Sequence, residues 1–306
     1  MRRVLIVLVC VTCGYCGSQS PTGPTPGPSP TSPPPSQPPS GPQIFVGAGD
    51  IAMCDVNSVA TAALLDSIGG YVFTLGDNAY FRGTREEYRN CYDNTWGKHK
   101  GRTFPVPGNH EYMSAGAAPY FEYFGERAGP QGKGYYSFDL GKWHLISLNS
   151  EIVAGVRRDF AQSRAQEEWL RKDLADHGKP CTLAYWHRPL FSSGTHGATP
   201  EADRLWMILY QNGVDLVVNG HDHHYERFLP QTPAGVKDSV RGIEQIIAGT
   251  GGGDLRGVRR QLMPNSAMQI FGHFGVLKLT LGDGEYRHAF LDIDGRVWDQ
   301  GGRRCH

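Results

Sequence analysis

The chain has 306 residues, in which 30 lysines and arginines balance 30 aspartates and glutamates, so the net charge is close to zero. Proteins that bind nucleic acids carry an excess or a cluster of basic residues, and this composition therefore argues against that class. The length is sufficient for one sizeable α/β domain with appendages.

The N-terminal region has the composition of an export signal followed by a tether. Residues 1–20 contain two arginines ahead of an apolar stretch of about ten residues, which is typical of a signal peptide rather than a membrane span. Residues 21–42 contain 11 prolines among 22 residues, and such a segment cannot bury a core. We therefore expect an exported protein, either secreted or anchored to the cell surface through a lipid on Cys16, with its folded domain at 43–306.

Residues 43–306 begin with alternating predicted strands and helices. Five short apolar runs that are bounded by glycine or proline predict buried strands. The runs are IFVGAG (44–49), YVFTL (71–75), TFPVP (103–107), TLAYW (182–186) and LVVN (216–219). Helical patterns occur at Val56–Ile68, around Thr84–Trp96, at Arg158–Ala175 and at Pro200–Asn212.

The rest of the domain is mostly predicted strand, and this order of elements indicates the fold class. The additional strands are expected at 135–140, 143–148, 243–249, 274–281, 286–293 and 296–300. Two sheets packed face to face, with helices on their outer sides, accommodate this order. We therefore predict an α/β fold with four layers, α/β/β/α, built on two mixed sheets.

Each of the five apolar runs given above is followed by, or ends in, a block of residues of the kinds that bind metals or act on phosphates. The blocks are GDIA with Asp50, GDNAY with Asp77 and Tyr80, GNHE with Asn109 and His110, AYWHRP with His187, and GHDHHYER with His221 and His223. Strand ends that carry oxygen and imidazole ligands in this way indicate one site at one rim of a sheet. We expect the glycine-rich loops at 191–200 and 248–257 to form the sides of this site.

The donor types in these blocks indicate the kind of metal site. Carboxylate, phenol and amide oxygens together with imidazole nitrogens suit hard or borderline metals such as iron, manganese and zinc. The blocks contain no cysteine, whereas a closed structural zinc site uses cysteine, alone or with histidine. Apart from His110, these blocks contain seven candidate ligands, which are too many for one tetrahedral ion, so we predict two ions that share one carboxylate.

Each of these residues, taken alone, also has an ordinary structural explanation. An aspartate that follows a strand, such as Asp50 or Asp77, is often a turn former or a helix cap. Asn109 comes directly after a Pro-Gly pair and could belong to a simple turn. Tyr80 could be an aromatic residue at the rim of the site. The occurrence of all five blocks in one order favours a shared site over five separate explanations.

The five blocks resemble the motifs of the calcineurin-like metallophosphoesterases, and within that superfamily the purple acid phosphatases. The family pattern is D-x-G, G-D-x-x-Y, G-N-H-E/D, a histidine after a strand, and G-H-x-H, and the resemblance covers about residues 43–300. Ala52 stands where the first motif has glycine, which we expect to alter only the backbone packing. The resemblance implies the four-layer sandwich in a small single-domain form, without an additional N-terminal β domain.

The resemblance also implies two metal positions. The first, a ferric ion, would be held by Asp50, Tyr80 and His223. The second, a divalent iron, zinc or manganese ion, would be held by Asn109, His187 and His221. Asp77 would bridge the two ions. The family has outer-sphere histidines at the positions of His110 and His196, which makes these two residues the candidates for the acid that protonates the leaving group.

The function implied by the resemblance is the hydrolysis of phosphate esters. The first hypothesis is an acid phosphomonoesterase that uses metal-bound hydroxide on a small phosphate-ester substrate. A second is a phosphodiesterase that acts on nucleotides or lipid head groups with the same two metals. A third is a non-catalytic surface protein that keeps the fold as a binding module. The complete set of ligands argues against this third hypothesis.

The cysteines of the folded domain are Cys54, Cys91, Cys181 and Cys305. Four cysteines in an exported domain permit two disulfides in any of three connectivities. We favour a Cys181–Cys305 bond, which would fasten the C-terminal segment, together with a Cys54–Cys91 bond. Free buried thiols are the alternative.

Overall fold

The computed structural model of the protein describes residues 41–154, 158–257 and 261–306. The predicted export signal and residues 21–40 of the predicted tether lie outside the described residues. Within the described ranges, no helix combines the length and the apolar character that crossing a membrane requires.

Thirteen strands are present in the described residues. They are β1 (Gln43–Ala48), β2 (Tyr71–Thr74), β3 (Thr103–Phe104), β4 (Tyr136–Leu140), β5 (Trp143–Ser147), β6 (Cys181–Trp186), β7 (Leu216–Asn219), β8 (Tyr225–Gln231), β9 (Ile243–Ala248), β10 (Ser266–Ile270), β11 (Gly275–Leu281), β12 (Glu285–Asp292) and β13 (Val297–Arg304). The first sheet has six strands in the order β13-β12-β11-β1-β2-β3, and the second has seven in the order β10-β8-β9-β7-β6-β5-β4. Both sheets mix parallel and antiparallel pairs, as predicted.

The helices lie between strands of the chain. They are α1 (Val56–Ser67), α2 (Arg85–Glu87), α3 (Ala118–Phe124), α4 (Phe160–Asp176) and α5 (Asp203–Gln211). A π-helix covers Tyr88–Tyr92, and short 3-10 helices cover Trp96–Arg102, Glu111–Met113, Ala115–Ala117, Gly125–Ala128 and Pro200–Ala202. Aspartates begin the two longest helices. Asp55 accepts backbone N–H bonds at the start of α1, and Asp159 does the same for α4.

Buried hydrophobic side chains form three layers, and these separate the four layers of the fold. Phe45 and Phe290 of the first sheet lie in the layer between the two sheets. Leu65 of α1 packs on the outer face of the first sheet. Leu170 of α4 and Trp206 of α5 pack on the outer face of the second sheet. The predicted α/β/β/α fold class is therefore confirmed.

Four details of the fold differ from the expectations drawn from sequence. The strand predicted at 103–107 ends at Phe104, because Pro105 and Pro107 have no N–H to donate to a neighbouring strand. Strands β8 and β10 and helix α3 were not expected. β8 contains a buried charged residue, Glu226, and a break in register near Pro230, both of which weaken the sequence pattern of a strand.

Both favoured disulfides are present, with Cα–Cα distances of 5.5 Å for Cys181–Cys305 and 4.5 Å for Cys54–Cys91. Cys181 begins β6 of the second sheet, and Cys305 directly follows β13 of the first. This bond therefore links the two sheets. The other bond joins the segment after β1 to the π-helix.

Removing the disulfide between the sheets should destabilise the protein more than removing the other one. Cys181–Cys305 spans 124 residues of sequence, whereas Cys54–Cys91 spans 37. A cross-link that closes a longer loop restricts the unfolded chain more strongly, so the Cys181→Ala/Cys305→Ala variant should lose about 2–5 kcal/mol of unfolding free energy. Denaturant titration measures this loss, with Cys54→Ala/Cys91→Ala as the matched comparison. A larger loss in the comparison variant would contradict the prediction.

Candidate metal centre

The predicted ligands meet where parallel strands of the two sheets end. β1, β2 and β3 are parallel in the first sheet, and β5, β6, β7 and β9 are parallel in the second. Asp50 and Asp77 follow β1 and β2, and His187 and His221 follow β6 and β7. A hydrogen bond from the His221 backbone N–H to Oδ2 of Asp50, 2.8 Å long, joins the two sets of strand ends. The carboxyl ends of parallel strands are the usual place for a site in such sheets.

Three of the predicted ligands have left-handed backbone conformations. The φ angles of Asp50, Asp77 and His221 are 59°, 49° and 73°. Residues other than glycine adopt such angles at a cost of order 1–3 kcal/mol, and they cluster at functional sites. The glycines nearby permit close approach, since a Cβ atom on Gly76 would lie 2.6 Å from Nδ1 of His187 and one on Gly108 would overlap Oδ1 of Asp77.

One group of donor atoms converges on the Tyr80 hydroxyl. This oxygen lies 3.1 Å from Oδ1 of Asp50, 3.3 Å from Oδ2 of Asp77 and 3.2 Å from Nε2 of His223. Nε2 of His223 is in turn 3.2 Å from Oδ1 of Asp50. These four side chains, which we name the tyrosine group, are all buried.

A second group converges on Nε2 of His187. This nitrogen lies 3.1 Å from Oδ1 of Asn109, 3.3 Å from Oδ2 of Asp77 and 3.2 Å from Nδ1 of His221. We name these four side chains the histidine group. The same oxygen of Asp77 takes part in both groups, which is compatible with the bridging role that the family resemblance implies for it.

Backbone carbonyls orient the imidazoles of both groups. Nδ1 of His187 donates to the carbonyl of Leu75 at 2.7 Å, and Nδ1 of His223 donates to the carbonyl of Asp254 at 2.6 Å. Each bond directs Nε2 toward the other donors of its group. Hydrogen bonds of this kind fix the tautomer and ring orientation of histidines that bind metals. Asp254 belongs to the predicted glycine-rich loop at 248–257, which therefore contacts the site.

The electrostatics of the two groups are dominated by burial and by the carboxylates. Burial, together with the charges of Asp50 and Asp77, raises the pKa of Tyr80 well above its usual value. Burial alone would raise the pKa of Asp77, but His187 and His110 outweigh it and lower that pKa. Burial lowers the pKa of His187, and the Asp77 charge overcomes this and raises it to about 10. With its pKa raised in this way, Tyr80 is a neutral phenol beside two carboxylates, and a bound cation would favour its phenolate form.

The donor set fits metal ions of the predicted kind. Ligand atoms of Asp50, Asp77 and His187 all lie within 4.8 Å of one another. Two carboxylates, a phenol, an amide oxygen and three imidazoles form a mixed oxygen and nitrogen set, which suits iron, manganese or zinc. The role of each side chain as a ligand stays a prediction. Ala52, the departure from the motif, is fully buried beside Ala79 and leaves Asp50 in the tyrosine group.

The two candidate acids lie at different sides of the site. The His110 ring is 4.4 Å from the Tyr80 ring, and its Nδ1 donates to the carbonyl of Phe81 at 2.6 Å. The His196 ring stacks on His221 with centroids 4.6 Å apart. Partial desolvation of His196 lowers its pKa, and Arg256 adds to this effect while Asp222 opposes it. Both rings are therefore next to a donor group, as their proposed role requires.

Two buried carboxylates that sequence reasoning did not assign hold the site together. Glu111, the last residue of GNHE, accepts backbone N–H bonds from Asp77, Asn78 and Gly108 at 2.7–2.9 Å. Asp222 accepts the backbone N–H of His196 at 2.8 Å and so holds the 191–200 loop beside the histidine group. Glu111 lies in the GNHE block and Asp222 in the GHDHHYER block, and these positions could have indicated a role at the site. A charged residue that is not a ligand is nevertheless usually expected on the surface.

Replacing Glu111 by glutamine should weaken both the fold and metal binding. A glutamine has one acceptor oxygen where glutamate has two, so some of the backbone N–H donors lose their partner. Buried unsatisfied donors cost about 1–3 kcal/mol, which denaturant titration would measure. Loss of an outer partner typically reduces metal affinity roughly 10- to 100-fold, which competition with a chelator would measure.

The control for this prediction is Glu126→Gln. Glu126 is exposed, and surface changes of this kind usually alter the unfolding free energy by less than about 0.5 kcal/mol. Equal stability and equal metal affinity of the Glu111 and Glu126 variants would show that the buried carboxylate has no supporting role.

Comparison with known proteins identifies the family. The model of the calcineurin-like phosphoesterase family matches residues 37–225, a segment that contains every predicted metal ligand. The chain belongs to this family. The chain is 35% identical over 161 residues to purple acid phosphatase 15 of Arabidopsis thaliana, covering 46% of this chain and 29% of that protein. It is 27% identical over 226 residues to acid phosphatase type 7 of Homo sapiens, covering 63% and 50%. The chain thus spans half or less of these curated relatives.

Solved structures share the fold of this chain. The purple acid phosphatase PPD1 of yellow lupin superposes with a TM-score of 0.70 at 20% identity, covering 89% of this chain and 55% of that one. GAP50, the anchor in the inner membrane complex of Plasmodium, superposes with a TM-score of 0.71 at 14% identity, covering 87% and 90%. The predicted similarity to the purple acid phosphatases is therefore confirmed in sequence and in fold.

Proposed function

We propose that this protein is a dimetal hydrolase of phosphate esters, with the activity of an acid phosphomonoesterase. The observation that carries the proposal is the pair of donor groups that share Oδ2 of Asp77. Two metal ions bound in these groups would neutralise the charge of the ester and activate a water molecule. We further propose a ferric ion in the tyrosine group, because a phenolate is a hard anionic ligand, and divalent iron, zinc or manganese in the histidine group.

The protein side chains would supply orientation and the proton for the leaving group. Asp50 and Asp77 bring two carboxylates into a buried site, where metal cations would supply the compensating positive charge. His196 would donate a proton to the leaving oxygen, since its ring covers His221 of the histidine group. His110, on the side of the tyrosine group, is the second candidate for this donor.

Hydrolysis assays on the purified protein loaded with metals test the proposal. The substrates are p-nitrophenyl phosphate and bis(p-nitrophenyl) phosphate, assayed across a range of pH. We expect a higher kcat/KM for the monoester, with the maximum in acidic solution. Preference for the diester would instead favour a phosphodiesterase. Two bound ions with no turnover of either substrate would favour a binding module.

We also propose that the protein is exported, either secreted or anchored through Cys16. The signal-like composition of residues 1–20 supports this, and so do the two disulfides, which persist in oxidising compartments. Mass spectrometry of the N-terminus in the exported fraction would identify a cleaved or lipidated form. Recovery of the intact chain only from the cytosol would contradict export.

Tyr80 provides a spectroscopic test of the proposed ferric ion. Iron-loaded protein should show a visible band from charge transfer between a tyrosinate and Fe(III), and Tyr80→Phe should abolish it. Tyr112→Phe is the matched control, since Tyr112 is also buried but its hydroxyl bonds to the amide of Asn149, outside both groups. A band that survives in Tyr80→Phe and disappears in Tyr112→Phe would show that the assignment is wrong.

A further inference from the structure

Arg188 lies against the histidine group but has no role in the proposed ligand set. It directly follows His187 at the end of β6. Its NH1 lies 3.0 Å from Nε2 of His221, and the other nitrogen of that ring, Nδ1, faces Nε2 of His187. The guanidinium is therefore separated from the centre of the histidine group by one imidazole ring. About a fifth of the Arg188 side chain is exposed, at 20%.

A buried carboxylate holds this guanidinium from the protein side. Nε of Arg188 donates to Oε1 of Glu151 at 2.7 Å, and only 1% of the Glu151 side chain is exposed. The backbone N–H of Arg188 donates to the Ser150 hydroxyl at 3.1 Å. Ion pairs buried in this way contribute little net stability, so a role in binding explains this pair better than a role in folding.

The guanidinium keeps hydrogen-bonding capacity for a ligand. Arginine carries five N–H donors in a planar fork, and its charge does not depend on pH in the physiological range. Among the described residues, the side-chain hydrogen bonds of Arg188 are those to Glu151 and His221, which involve Nε and NH1. The two N–H donors of NH2 and the second N–H of NH1 remain for an anion at the edge of the histidine group. A phosphoryl group matches this fork, since arginine binds phosphate oxygens in pairs.

We propose that Arg188 binds the phosphoryl group of the substrate and gives the enzyme its preference for monoesters over diesters, an inference that rests on the proposed function. A phosphate monoester has one more non-bridging oxygen than a diester and carries more negative charge. A cationic fork held by Glu151 gains more from the additional oxygen and charge than from an alkylated oxygen. Arg188 is then a specificity-determining residue at the rim, and Glu151 is the residue that positions it.

Phosphate binding and substrate preference together test this proposal. Binding of inorganic phosphate to metal-loaded protein is measured by calorimetry, and kcat/KM is measured for p-nitrophenyl phosphate and its bis-ester. A charge-assisted hydrogen bond corresponds to roughly a 10- to 100-fold change in a binding constant. We expect Arg188→Ala to weaken phosphate binding and monoester turnover by this factor and to change diester turnover by less than about threefold. Arg188→Lys, which keeps the charge without the fork, should fall between Arg188→Ala and the unaltered protein.

Two controls distinguish this role from others. Arg204→Ala, on an exposed arginine of α5 with 71% of its side chain accessible, should leave all three measurements unchanged. Metal content distinguishes substrate binding from orientation of His221, because a variant that only misorients His221 would lose a metal ion. If Arg188→Ala or Arg188→Lys binds fewer than two ions, or loses monoester and diester turnover equally, the proposal is wrong.

The outcome also separates this inference from the proposed function. Phosphate binding is measured without turnover, so it tests Arg188 even if the unaltered protein hydrolyses neither ester. Active protein with unchanged phosphate affinity in Arg188→Ala would overturn the inference and leave the hydrolase proposal standing. Inactive protein whose phosphate affinity depends on Arg188 would overturn the hydrolase proposal and support a phosphate-binding role for this residue.

Discussion

Asp77→Ala should abolish phosphate ester hydrolysis and remove at least one metal ion. Oδ2 of Asp77 lies 3.3 Å from the Tyr80 hydroxyl and 3.3 Å from Nε2 of His187, so one atom serves both donor groups. Its other oxygen, Oδ1, accepts the backbone N–H of His110 at 2.8 Å. The substitution therefore also removes a hydrogen bond that positions His110, a candidate acid. Loss of one preorganised transition-state contact costs roughly 10²–10³-fold, and loss of a bridging ligand should cost more.

The measurements are metal content by elemental analysis and kcat on p-nitrophenyl phosphate. Asn109→Ala is the matched comparison. Oδ1 of Asn109 lies 3.1 Å from Nε2 of His187, and Asn109 belongs to the histidine group but not to the tyrosine group. We expect this variant to keep the ion of the tyrosine group and to bind the divalent ion more weakly. Two retained ions with near-normal turnover in Asp77→Ala would rule out a bridging role.

Much of the candidate site was predictable because its ligands are close in sequence to strands with clear signals. An apolar run ending in Gly-Asp predicts both a buried strand and a carboxylate at its end, as at Asp50 and Asp77. The left-handed backbone at both positions agrees with the sharp turn that such a sequence needs. Sequence could not give the contacts between the groups, since Asp50 and His221 are 171 residues apart.

The residues that support the ligands were not predictable from the same patterns. A carboxylate such as Glu111 or Glu226 normally indicates an exposed position, because burying a charge without partners is costly. In the fold, backbone N–H groups provide those partners, and for Glu226 the donor is Ser193 at 2.9 Å. Such partners come from distant segments, so their presence is decided by tertiary packing. Strand β8 was not predicted for the same reason, because it contains Glu226, whose burial depends on tertiary packing.

The acid role of His196 predicts a loss of activity that depends on the leaving group. An alkyl phosphate leaves as a basic alkoxide and needs a proton, whereas p-nitrophenolate is a stabilised anion and hardly needs one. General acids contribute on the order of 10²–10⁴-fold, so His196→Ala should reduce kcat on an alkyl phosphate by a factor in this range. The same variant should show only a small reduction on p-nitrophenyl phosphate. Steady-state kinetics on the two substrates measure the difference.

A matched variant in the same loop separates proton donation from loop structure. Thr195→Ala changes the exposed neighbour of His196, and Asp222 still accepts the His196 backbone N–H, so this variant should lose little activity on either substrate. An equal reduction on both substrates in His196→Ala would mean that this ring positions the phosphate or acts through His221, on which it stacks. The acid role would then fall to His110, whose ring lies on the side of the tyrosine group, and His110→Ala should show the leaving-group dependence instead.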